Sequence, residues 1–179
     1  LIKKLMWVQD LWFAKSVVFK AHLKVIEGDF PGAMKVLDDF ESQLLDMDRI
    51  LKEEEEKTGQ PLSKMSPMAE CRYLMGKVLQ EQADKLGPAA QKEQVIALLA
   101  GQSMPPDAQG KVRRSDGALQ HFFKVFVDYP NTAWAADAGS RMRKIQDKLE
   151  REYGAHINMK VPDDQWKKVE KMGFEEART

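Results

Sequence analysis

A chain of 179 residues has room for one domain, or for a short solenoid that does not divide, and it can bury a real core. Lysine plus arginine and aspartate plus glutamate balance at 28 each, so no global field draws the chain to nucleic acid or an anionic membrane, and any partner must be recognised locally. Hydrophobic residues at 43%, with 8 prolines and 11 glycines, exclude a disordered tail and a loop-rich all-β protein.

The chain opens at Leu1 rather than Met, the pattern of a mature or excised fragment, and no signal-peptide apolar region precedes the first charges at Lys3 and Lys4. No apolar run approaches the length of a membrane span. From about Ile2 to Glu27 the apolar positions Leu5, Val8, Trp12, Val17, Ala21 and Val25 predict a first helix, closed by Gly28-Asp29. Pro31 opens a second. In it Ala33, Leu37, Phe40, Leu44, Met47 and Leu51 step by four and three in turn, placing one stripe down a long helix whose end, Glu53 to Glu56, projects into solvent before Gly59 and Pro61.

After the Pro61 to Pro67 connector, Met68, Cys71, Met75 and Val78 mark a third helix that reaches Gly87-Pro88. A lone cysteine at such a spacing reads as packing rather than as a nucleophile. A short helix from about Pro88 to Ala100 follows, then a loop from Gly101 to Gly110 with Pro105 and Pro106, expected to be poorly ordered and dispensable. Ala118, Leu119, Phe122, Val125 and Phe126 predict an apolar helix stopped at Tyr129-Pro130. Another, from near Thr132 to Gly154, buries Ala135, Ala138, Met142, Ile145 and Leu149. Residues 155 to 161 read as an extended connector, and Asp163 to Met172, with Trp166 and Val169, as a short capping helix.

No constellation makes an active site. His22, His121 and His156 lie in separate segments without a second ligand at helical spacing, so no metal site is expected, and no cofactor motif is present: Gly101-Gln-Ser-Met-Pro-Pro lacks the ending of a phosphate loop. Ser140 falls inside a helix without a nucleophile elbow. The basic run Lys111-Val112-Arg113-Arg114 has no interleaved aromatics in a neutral chain and reads as a solvated face, so no nucleic-acid partner is expected.

The turn Gly28-Asp29-Phe30-Pro31-Gly32-Ala33, with Leu37 after it and Ala21 before it, has the small-residue spacing of two close-packed helices. Tyr73-Leu74-Met75-Gly76, then Ala118, Phe122, Val125 and Pro130, repeat it across an insertion of about thirty residues. These segments resemble the tetratricopeptide repeat superfamily. The phrase from Phe122 to Tyr129-Pro130-Asn131-Thr132, with Ala135 and Ala138, is similar to its bacterial cell-envelope branch of outer-membrane assembly lipoproteins and periplasmic cell-division coordinators. The resemblance covers roughly residues 14 to 47, 68 to 83 and 115 to 152, and departs from the pattern at Lys20, where an aliphatic residue is expected.

The resemblance implies an all-α fold of antiparallel helix-turn-helix repeats, an α-solenoid, over residues 1–154 with a flexible insertion at 87–110, followed by a C-terminal extension, 155–179, with its capping helix. It implies a periplasmic or envelope location. It also implies that the first helix of each repeat lines a concave groove, which brings His22 and Lys77 together with Arg141 or Lys144. Tyr73 then lies beside them, and Trp134 or Asp137 falls near an adjoining groove position. A basic ridge flanked by aromatics suits an acidic or C-terminal carboxylate peptide. The expected function is a non-enzymatic scaffold for a protein or peptide; the alternative is a structural segment of a longer repeat protein with no ligand site of its own.

Overall fold

The computed structural model describes residues 2–86, 92–103 and 114–157, together with 159, 161 and 164. The protein is all-α. Its helices are α1 (Ile2–Ile26), α2 (Phe30–Asp39), α3 (Glu41–Thr58), α4 (Pro67–Leu86), α5 (Lys92–Ala100), α6 (Ala118–Asp128) and α7 (Trp134–Tyr153), with a 3-10 turn at Leu62–Met65. No described helix is long and apolar enough to cross a membrane.

α1 ends where the sequence predicts. Gly28 takes φ +79°, a left-handed conformation that glycine adopts without a Cβ penalty, and Asp29 then caps α2 by accepting a 2.9 Å hydrogen bond from the Gly32 N–H. Ala21 and Ala33, both fully buried, let α1 and α2 pack closely.

The predicted long second helix is two. It breaks at Phe40 (φ −110°, ψ 4°), whose ring meets Phe13 of α1 edge-on at 5.9 Å. The stripe keeps its phase across the break, since Leu37, Leu44, Met47 and Leu51 all remain buried, so hydrophobic periodicity carries no mark of it. The acidic end of α3 is not wholly free in solvent either: Glu55 turns back to Ser63, whose hydroxyl first and whose N–H second, at 2.7 Å, donate to its carboxyl and hold it below the usual range.

α3 and α4 run antiparallel. Ser66 donates to the buried Asp48 carboxylate while its Oγ accepts from the Ala69 N–H at 3.0 Å, capping α4, and six residues on Arg72 pairs with Glu41. Two main apolar clusters result: one joins α1 to α4 through Val18, Leu37, Leu44 and Met75, the other joins α4 to α7 through Ala83, Leu99, Phe122 and Met142.

Part of the segment predicted to be a flexible insertion is structural. Val95, Leu99 and Ala100 of α5 are buried in the second cluster, and the two-residue strands β1 (Gln102–Ser103) and β2 (Arg114–Ser115) pair antiparallel at its far end. The expected loop thus begins in a ladder, and residues 104–113 lie outside the described residues. Ala155, Ile157, Met159 and Val161 pack along the same cluster after α7, while the predicted capping helix lies, apart from Asp164, outside the described residues.

Candidate functional site

α1, α4 and α7 lie side by side and parallel, and the pairs between them fix their register. Lys15 on α1 binds Glu70 on α4 at 2.7 Å, a separation of 55 residues. Lys85, near the C-terminal end of α4, sits over the ring of Phe30, the first residue of α2, at 4.3 Å, so the C-terminal ends of α1 and α4 lie together. Between α4 and α7 the separation is 64: Tyr73 donates to Asp137, and Lys148 binds Asp84 at 2.7 Å. Equal separations at both ends hold α4 and α7 parallel in constant register, while the Lys15–Glu70 pair and the meeting of their C-terminal ends set α1 parallel to α4.

The three helices therefore present transverse rows about one helical turn apart. Lys15, Glu70 and Trp134 form one, and the Lys15 ammonium lies 5.1 Å from the Trp134 ring centroid, so all three helices meet there. Val18, Tyr73 and Asp137 form the next. His22, Lys77 and Arg141 form the third, and Lys144 falls in the row of Gln80. Trp134 and Asp137 likewise belong to successive rows.

The rows do not make a uniformly basic ridge. Arg141 Nε donates to Asp137 at 2.6 Å and its guanidinium reaches Gln80 at 3.1 Å, lying 5.9 Å from the Tyr73 ring. Burial pushes the Asp137 carboxyl up, but the hydrogen bonds from Tyr73 and Arg141 outweigh it and leave the group below the carboxylate range. Burial and the Asp137 bond raise the Tyr73 hydroxyl, which stays protonated and acts as a donor. The Arg141 charge is thus spent inside the protein. Lys15 and Lys148 are spent in the same way, on Glu70 and Asp84.

What the face still offers is His22 and Lys144, exposed, and Lys77, half-buried between them, beside the half-buried faces of Tyr73 and Trp134. Sequence reading missed Lys15, Glu70 and Gln80. The constant offsets of 55 and 64 would have found the first two, since they align Lys15 with Glu70 and Trp134 once any row is known.

Burial withdraws Cys71 and His121 from chemistry near neutral pH. Burial pushes the Cys71 thiol up to about 12, so its thiolate is not formed near neutral pH. His121 is buried against α4, its Nδ1 meets no hydrogen-bond partner, and burial, with Arg72 nearby, lowers it to about 4. Among the described residues no group of histidines, cysteines and carboxylates is placed to hold a metal ion.

No family model matches the chain, and comparison with characterised proteins and with solved structures finds none that is similar.

Proposed function

We propose that the protein is a tetratricopeptide-like scaffold that binds an acidic segment of a protein or peptide across the α1, α4 and α7 face. The observation that carries this reading is the register of the three parallel helices, which repeats one face three times and leaves His22, Lys77 and Lys144 outside the hydrogen bonds and ion pairs that join the described residues. A groove fixed by helices orients donors before binding, so a carboxylate-rich ligand gains charge-assisted hydrogen bonds while Tyr73 and Trp134 supply area. Of the predicted set, Arg141 and Asp137 act as supports that hold Tyr73, rather than as ligand contacts.

A second reading, a structural segment of a longer repeat protein, is favoured by the self-neutralised pairs Lys15–Glu70, Arg141–Asp137 and Lys148–Asp84, which resemble internal packing. Lys77→Glu separates the two. A partner captured by pull-down from the native source is expected to be lost with Lys77→Glu and retained by Lys35→Glu, an exposed change on α2. Equal retention by both proteins would remove the groove and leave the structural reading.

A further inference from the structure

α1 carries an apolar face that nothing in the described fold covers. Trp12, Phe19, Leu23 and Ile26 are 71, 60, 44 and 71% exposed. Their steps of seven, four and three residues stack them on one side of the helix over about 21 Å. Single exposed apolar side chains are ordinary; four in phase on one helix mark an interaction surface.

The register of the rows identifies what covers this face elsewhere in the molecule. At the same register Phe19 and Leu23 correspond to Leu74 and Val78 of α4, and these to Ala138 and Met142 of α7, all four of them buried. On α4 that face is covered by α2 and α3, on α7 by α6. α3 and α6 are in each case the helix that precedes, running antiparallel and joined through a short connector. Lys20 of α1 corresponds to Met75 and Gly139, both buried, yet is itself exposed. A helix seated on α1 as α6 is seated on α7 would therefore enclose Lys20 and must neutralise it.

We propose that this face of α1 docks an amphipathic helix of a partner protein, antiparallel to α1, with a carboxylate inside its apolar ridge that meets Lys20. Charge selects the occupant: Lys15 and Lys24 are paired with Glu70 and Asp29, which leaves Lys20 as the lysine of residues 11–26 without an ion pair among the described residues; a second copy brings another unpaired lysine to this face, whereas a helix carrying a carboxylate complements it. The surface is distinct from the groove and does not depend on it.

Two synthetic amphipathic helices of about 18 residues, long enough to form in isolation, test the proposal. They share a leucine ridge and differ at one central position, glutamate or lysine, and their binding is read by fluorescence anisotropy. The glutamate peptide is expected to bind about tenfold more tightly than the lysine peptide, with Lys20→Glu inverting that order. Leu23→Glu is expected to abolish binding of both, and Lys77→Glu to leave it unchanged. Both α1 side chains are exposed, so circular dichroism of the variants should match that of the parent protein. Absence of binding by the glutamate peptide, binding that survives Leu23→Glu, or a preference unaltered by Lys20→Glu overturns the proposal. Sedimentation as a dimer that Leu23→Glu dissociates also overturns it, and gives the face to a second copy.

Discussion

Phe122 is the side chain on which α4, α6 and α7 converge. Its ring packs edge-on to Tyr73 at 5.8 Å and lies so close to α4 that a Cβ on Gly76 would stand 2.8 Å from Cε1. Glycine is there for close approach, not for flexibility. Phe122→Ala is expected to lower the unfolding free energy by about 3 to 5 kcal/mol, read by chemical denaturation, because the rigid neighbours cannot collapse into the space. One residue earlier in α6 the chemistry is different. Burial first, then Arg72 and Lys124, lower His121 to about 4 against the pull of Asp116. Its folded value lies below the unfolded one, so the unfolded chain takes up the proton first; the contribution is complete above pH 6.5 and is lost as pH falls toward 4. Between pH 7 and 5 this costs about 2 kcal/mol of stability. His121→Leu should flatten that slope in melts taken across the same range.

At the scale of elements, helix boundaries were legible where side chains make them. Gly28-Asp29, Gly59 and Gly154 end or cap helices by chemistry that a sequence displays, and Tyr129-Pro130 stops α6 where it was expected to. The break at Phe40 was not legible, because it rests on a tertiary contact with Phe13 and leaves the apolar phase intact. The start of α4 at Pro67 was legible, but the contact that holds its cap was not. Its cap, Ser66, is held by a carboxylate eighteen residues earlier, on a helix face that reads simply as polar. Burial raises the Asp48 carboxyl, while the bonds from Ser66 and Tyr129 hold it the other way. Ser66→Ala removes a cap and leaves a buried acid short of a donor, so a loss of about 2 to 3 kcal/mol is expected, visible as a lower melting temperature.

For the whole molecule, the rows across α1, α4 and α7 decide which charges remain for a partner. Partly exposed pairs such as Lys15–Glu70 contribute at most about 1 kcal/mol each, so the helices are held by their apolar clusters and the pairs mainly set register. An acidic peptide bound at His22, Lys77 and Lys144 should weaken steadily as salt rises, because exposed charges are screened over about 8 to 10 Å near physiological ionic strength. Isothermal titration at rising sodium chloride that gave a constant affinity would count against a charged groove. The sequence by itself determined the helical class, most of the turns and the apolar faces, because those follow from spacing and from the backbone preferences of glycine and proline. The family resemblance also named Tyr73, Asp137 and Arg141, which the fold brings into contact. Only the tertiary structure decided that Arg141 is consumed by Asp137 and Tyr73, that α5 joins the core, and that the stripe from Trp12 to Ile26 faces outward. A periodic pattern says that a face is apolar; what covers it, and which ion pairs with which, depends on register between helices far apart in the chain.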